Sequence, residues 1–176
     1  VDTPSDLLDI VSGLHVVPEF LGNRAPHADP RTRAVIAGLG MAISLNSLVS
    51  LYIAGVCGLG YGLRQIIEAQ ATHGAKISNI VISGGAGRNE AIRQLLADAT
   101  GVSIVSPETE EPVLLGAAML GAGAAGHHGG LSGCMSAMAR VSSIHAPAGG
   151  RIAELHQNRY GIYKRFQETA RAAAVL

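Results

Sequence analysis

At 176 residues, 48% of them hydrophobic, the chain is long enough to bury one core of its own and falls in the size range of a single domain. Thirteen basic and thirteen acidic residues cancel to a formal charge of zero and aromatic residues are only 3%, which leaves neither a basic field nor a stacking platform for nucleic acid. Two cysteines, Cys57 and Cys134, stand far apart in no metal-ligand or redox spacing; this removes a disulfide scaffold and fits a reducing cytoplasm.

The first residues, Val1-Asp2-Thr3-Pro4-Ser5-Asp6, place acid and proline where a secretion signal would place basic charge and an apolar stretch. Lacking an initiator Met, they read as sequence from within a longer protein. Two runs, Ala34 to Leu63 and Pro112 to Ala139, carry no charged residue and are long enough to cross a bilayer. Ser44, Asn46, Ser47 and Ser50 interrupt the first, His127 and His128 the second, and no strong Lys/Arg bias flanks either. Buried helices of a soluble protein are therefore expected, without membrane or nucleic acid as partner.

In chain order, His15 to Phe20 alternate weakly as a strand, and Leu21 to Pro30 is so dense in turn formers that a helix cannot cross it. Past a polar break at Ser44 to Asn46, apolar residues from Leu48 through Leu51, Leu59, Leu63 and Ile67 recur at helical spacing. That helix should run to about His73, with Gly74 in the capping position. The β-branched run Ile77 to Ile82 predicts a strand that stops at Ser83-Gly84-Gly85-Ala86-Gly87. Asn89 then opens a second helix, with Ile92, Leu95, Leu96 and Ala99 on one face, that ends at Gly101. Val102 to Val105 predicts another strand, terminated by Pro107. Glu108, Glu110 and Glu111 precede a third helix from about Val113 to Ala125, where acid meets the positive helix end. Gly126 to Gly150 offers at most one short helix, around Leu131 to Ala139. From Arg151, apolar Ile152, Leu155, Ile162, Phe166 and Ala170 predict an amphipathic surface helix. Strands alternating with helices imply an α/β layer architecture.

Chemistry is most legible from Ile80 to Gly101. A strand that delivers a Gly-Gly turn into a helix lets backbone approach a ligand where a Cβ would obstruct it, and the helix start offers unpaired N–H groups. The local pattern alone is shared by simple chain reversals. Gly121-Ala122-Gly123-Ala124-Ala125-Gly126 matches the letters of a dinucleotide fingerprint but ends a helix instead of following a strand. The seven histidines, His127 and His128 included, join no cysteine or carboxylate at metal-site spacing, and neither a Gly-x-Ser-x-Gly elbow nor a Walker loop occurs.

Ser83-Gly84-Gly85-Ala86-Gly87-Arg88-Asn89, a helix with Leu96-Ala97-Asp98, a strand ending in Pro107, and Glu111-Pro112-Val113-Leu114-Leu115-Gly116-Ala117-Ala118 together resemble the adenosine-binding region of FGGY carbohydrate kinases. Upstream, Val17 to Pro30 looks like the corresponding loop of the D-ribulokinase-like branch, and Tyr160-Gly161-Ile162-Tyr163 extends the likeness downstream, so that it covers almost all of residues 1–176. The resemblance implies an α/β fold that is the C-terminal portion of an actin-like, ribonuclease-H-like ATPase domain, with ATP and Mg²⁺ as cofactors. It implies that Gly85 lines the adenine pocket, that Asn89 contacts the base, and that Gly84 and Ala86 shape the turn. Glu111 would precede a helix whose Gly116, Ala117 and Ala118 pack closely behind the nucleotide, and the Asn23 to Asp29 loop would face the interdomain cleft. Catalytic residues and metal ligands are expected outside this chain, in the remainder of an enzyme whose N-terminal domain binds the sugar, so the chain by itself should be inactive. The parent would phosphorylate a pentulose, D-ribulose first. Another pentulose, a pentitol or glycerol is the alternative, as is a non-catalytic nucleotide-binding module, and a homodimer is left open.

Overall fold

The computed structural model describes residues 10–109 and 111–174. Two short strands, β1 (His15–Val17) and β2 (Val35–Ala37), pair antiparallel with Val16 opposite Ile36. Helix α1 (Leu45–Thr72) follows, then β3 (Asn79–Val81), a 3-10 turn (Gly85–Arg88), α2 (Glu90–Thr100) and β4 (Ser103–Pro107). Helices α3 (Pro112–Ala124) and α4 (Leu131–Met138) precede β5 (Val141–His145) and the terminal helix α5 (Gly150–Ala173). The second sheet has the order β3-β4-β5; β3 and β4 run parallel with Ile80 opposite Ile104, and β5 is antiparallel with Ile144 opposite Val105. A parallel pair needs a crossover, and α2 supplies it, so the expected α/β character is present.

The boundaries have local causes. Ser44 caps α1 by accepting from the Ser47 N–H at 3.2 Å, and Gly74, at φ +86°, ends it, as a glycine after the last turn does with no Cβ penalty. Gly101, at φ 74°, stops α2 likewise. Along α1 the buried side chains Ile53, Ala54, Cys57, Tyr61 and Gln65 form a stripe at helical spacing. They meet Val16 and Val17 of β1, Leu95, Leu96 and Ala99 of α2, and Tyr160 and Tyr163 of α5 in one core. Two glycines set how close α1 comes: a Cβ on Gly58 would lie 2.3 Å from the Val16 carbonyl oxygen, and one on Gly60 would lie 2.6 Å from the Ala99 Cβ.

The helices expected from the two uncharged runs are present, and one expectation, for α5, is corrected. The first uncharged run carries the expected helix after Ser44; ahead of it Val35 and Ile36 form β2, a strand without a local signal, by pairing with β1. The second run forms the two helices expected of it, α3 and α4, separated by a 3-10 turn at His127–Gly129 after Gly126 adopts the left-handed conformation. Helix α1 alone among the described residues has the length and apolarity to cross a bilayer. The correction concerns α5. Its buried face is not the apolar set read from sequence but His156, Arg159, Tyr160, Tyr163 and Gln167; Ile152, Leu155 and Phe166 sit partly buried beside it.

Polar residues can occupy that inner face because partners await them. Arg159 donates through Nη1 to the Val11 carbonyl (2.9 Å) and through Nη2 to that of Leu14 (2.6 Å). His156 Nδ1 and the Tyr61 hydroxyl hydrogen-bond at 2.9 Å, and Gln167 Nε2 donates to Gln65 Oε1 (3.0 Å) and to Glu19 Oε1. Buried polar groups are tolerated when so paired, and one-sided removal is costly.

Gly58→Ala should therefore lower stability by about 1–3 kcal/mol, since its methyl group meets backbone that cannot rotate away; a thermal melt unchanged from wild type would contradict this contact. A second expectation follows from His156, 1% exposed. Burial, aided by the charges of Arg159 and Arg64, holds its pKa down from 6.5 to about 4. The unfolded chain then takes up the proton first, so this contribution is intact above the unfolded value and is lost as pH falls from 6.5 toward 4, by about 2–3 kcal/mol. Urea unfolding at pH 7 and pH 4.5 should show this loss in wild type and a smaller one in His156→Gln.

Candidate functional site

The Ile82 N–H donates to the Val105 carbonyl at 2.9 Å, carrying the β3–β4 ladder one residue past β3. Chain direction then changes at Gly84, whose φ of 84° and ψ of −167° lie in a region open essentially to glycine. Residues 85–88 make a single 3-10 turn closed by the Gly87 N–H on the Gly84 carbonyl at 3.1 Å. Asn89 returns to extended backbone and caps α2, its Oδ1 accepting from the Ile92 N–H at 3.2 Å. That bond commits the oxygen of the amide and fixes the side chain, leaving Nδ2 as a donor at the helix start. Arg93 braces the turn from one helical turn on, donating through Nη1 to the Gly87 carbonyl at 2.7 Å.

The four residues singled out from sequence, Gly84, Gly85, Ala86 and Asn89, thus stand on one strand-turn-helix unit. Gly84, Gly85 and Asn89 are exposed. A Cβ at Gly84 or Gly85 would meet nothing within 4 Å, so the glycines are not required by crowding inside this chain and present bare backbone outward. Beside the turn lies a cleft of about 340 Å³, bounded by Ser83, Gly84, Arg88 and Arg93 on one side and by Ser106, Glu108 and Ser143 on the other. Gly84 lines it; Gly85 and Asn89 do not. Arg88 and Arg93 could have been suspected from their closeness to the turn. Ser143 could not, because β5 has no clear signature in the sequence.

Asp98 joins the unit to the C-terminal helix. Its Oδ1 accepts from the Ala148 N–H (2.7 Å) and from Gln94 Nε2 (2.8 Å), while Gln94 also donates to the Ala146 carbonyl at 2.9 Å. Burial pushes the Asp98 carboxyl up, and those two donors pull it back. The buried carboxylate thereby fastens the segment ahead of α5 onto α2.

Other sequence candidates are dispersed. Glu111 stands just before α3 and is exposed, its side chain making no capping bond, with Pro112 as the first helical residue. The close packing expected of Gly116, Ala117 and Ala118 is not made within this chain: both alanines are exposed, Gly116 has open space around it, and Met119 is the buried residue of α3. The reason is that α3 rests on α4 and the intervening 3-10 turn instead of on the sheet. In the Asn23 to Asp29 loop, Asn23 is buried; its N–H donates to the Asp29 carbonyl at 2.8 Å and its Oδ1 accepts from the His27 N–H at 3.0 Å. Gly121 to Gly126 closes α3 and stands before no helix start of the dinucleotide kind. Among the described residues no three His, Cys, Asp or Glu side chains converge as a metal site.

Comparison with known proteins gives this arrangement its relatives. The FGGY carbohydrate kinase domain-containing protein of Homo sapiens is 39% identical over 134 residues, which is 76% of this chain and 24% of that protein. The D-ribulokinase of Saccharomyces cerevisiae is 38% identical over 119 residues, 67% of this chain and 17% of that enzyme, so the chain spans a quarter or less of the length of these relatives. The ligand-bound xylulose kinase from Lactobacillus acidophilus superposes with a TM-score of 0.77 at 23% identity, covering 98% of this chain and 36% of that one, which establishes the fold as that of the actin-like sugar-kinase ATPases. Residues 4–125, which take in the glycine turn, the Asn89-capped helix and the strand that follows, match the C-terminal domain of the FGGY family of carbohydrate kinases, and the chain belongs to that family.

Proposed function

We propose that this chain forms the adenine-nucleotide side of the active site of an ATP-dependent kinase that phosphorylates a pentulose, with D-ribulose as the first substrate to test. The observation that carries the reading is the pairing of exposed Gly84–Gly85 backbone with an Asn89 amide held in one orientation by its own capping bond. Bare backbone gives a flat ring an unobstructed face, and a fixed N–H donor beside it suits a ring nitrogen acceptor. The yeast D-ribulokinase relative supports the sugar branch.

Phosphoryl transfer rests on positioning and on neutralising phosphate charge, for which Mg²⁺ is the usual agent. The described residues offer no cluster to hold that ion, so in this reading it is carried by the nucleotide phosphates and by groups outside the chain. The contribution of this chain is to bind and orient the nucleoside. The sugar site and catalytic base belong to an N-terminal domain, and the chain by itself is inactive. An intramolecular partner of that kind also suits the exposed Val113, Leu114 and Leu120 of α3. A cytoplasmic setting is supported by two free thiols, Cys57 and Cys134, both buried.

Asn89→Ser keeps a capping oxygen and deletes the amide donor. In the full-length enzyme it should weaken adenine-nucleotide binding by about 1–2 kcal/mol, the worth of one polar contact, while the melting temperature holds. Isothermal titration with ATP decides this, and unaltered affinity would remove Asn89 from the site. ADP release by the full-length enzyme with Mg-ATP, across D-ribulose, other pentuloses, ribitol and glycerol, tests the activity. Selective turnover of D-ribulose is expected; silence across the panel with ATP still bound would favour a non-catalytic nucleotide-binding module.

A further inference from the structure

A second concavity, about 410 Å³, lies where the loop after β1 meets α1, α2 and α5, and shares no residue with the cleft beside the glycine turn. Its walls are apolar: Leu59, Leu63 and Ile66 from α1, Leu96 from α2, and Pro18. Two glycines of α1, Gly58 and Gly62, keep it open, and a Cβ on Gly62 would come to 3.4 Å from the Tyr163 hydroxyl, which places that hydroxyl across from the glycine.

The polar end is unusual. Glu19 lines the groove yet is only 6% exposed. Its Oε1 accepts from both Asn23 Nδ2 and Gln167 Nε2, whereas Oε2 is buried with no hydrogen-bond partner among the described residues. The Tyr163 hydroxyl likewise has no hydrogen-bond partner among them, and its pKa is pushed up by burial and then by the Glu19 charge, so the two groups are close enough to sense each other. A carboxylate oxygen taken out of water without a donor is costly, and both donors it does have are neutral amides. Arg24 lines the groove but is exposed, where solvent screens its charge.

These features select the occupant. An anion meets Glu19. A polyol would press hydroxyls against leucine and isoleucine with nothing to accept them. An ammonium group on an apolar body satisfies both ends: its N–H donates to Glu19 Oε2 and its carbon skeleton covers the walls. We propose that this groove is a binding site for a small organic cation, a protonated primary amine on an apolar body, anchored by Glu19 and Tyr163. The proposal is independent of the nucleotide reading.

The test uses three probes of equal length, hexylammonium, 1-hexanol and hexanoate, titrated into the chain and followed by NMR at Leu63, Ile66 and Tyr163. Hexylammonium should give saturable shifts with roughly tenfold tighter binding than 1-hexanol, the worth of one charge-assisted hydrogen bond, and hexanoate should give none. Glu19→Gln, which retains an acceptor for Asn23 and Gln167, should reduce the amine to the affinity of the alcohol. Gly62→Leu, which fills the groove without touching Glu19, should abolish both. Equal binding of all three probes, amine binding indifferent to both substitutions, or no saturable shift would overturn the proposal.

Discussion

How near α1 can come to its neighbours decides where everything else stands. At residues 58 and 60 the separation leaves room for a hydrogen and not for a methyl: the Val16 carbonyl and the Ala99 Cβ occupy the space a side chain would need. Helix α2 is pressed onto α1 at this point, and α2 in turn fixes the Asn89 cap, the 3-10 turn ahead of it and the direction in which bare Gly84–Gly85 backbone faces. Packing of this density transmits position, because a close-packed interior has few ways to yield. The orientation of a candidate nucleotide surface is thus set partly by two glycines in a different helix.

The interior is completed by an unusual lining. Helix α5 offers Arg159, His156 and Gln167 to the core alongside Tyr160 and Tyr163. Arg159 draws in the backbone carbonyls of Val11 and Leu14, and Gln167 reaches both α1 through Gln65 and the loop after β1 through Glu19. Directional bonds of this kind add little net stability each, but they penalise any alternative seating of the helix that would leave a guanidinium or amide buried without a partner. Tyr61, which packs against Tyr160, Tyr163 and His156, is where the aromatic and polar parts of the core meet.

Much of the fold could be read along the chain, for reasons tied to particular residues. Ser44 and Gly74 bracket α1, Asn89 and Gly101 bracket α2, and each boundary is a single residue performing a local backbone task, so the sequence displays it directly. The strand-turn-helix unit was legible for the same reason. What escaped was whatever depended on a distant partner. Strand β2 left no mark in the sequence because its pairing with β1 is not encoded locally, and β5 is hidden in a Ser-rich stretch whose strand character comes from Val105 and Ser106 across the ladder. The inner face of α5 was misassigned because hydrophobicity ranks Ile162 above Gln167, whereas the waiting acceptors Glu19 and Gln65 reverse that order. The role proposed for the turn rests on family likeness; the residues themselves could not distinguish it from a chain reversal.

The Glu108 N–H donates to the Arg140 carbonyl at 3.0 Å, so β4 and β5 are tied together at the very point where α3 and α4 leave the sheet. As far as the sheet is concerned, residues 109–139 are a long hairpin connection whose ends are already sewn shut. Closing such a connection costs only logarithmically more as it lengthens. The two helices are accordingly a cassette whose length is decoupled from strand register, so that a change between them leaves the ladder and the turn at Gly84 where they are.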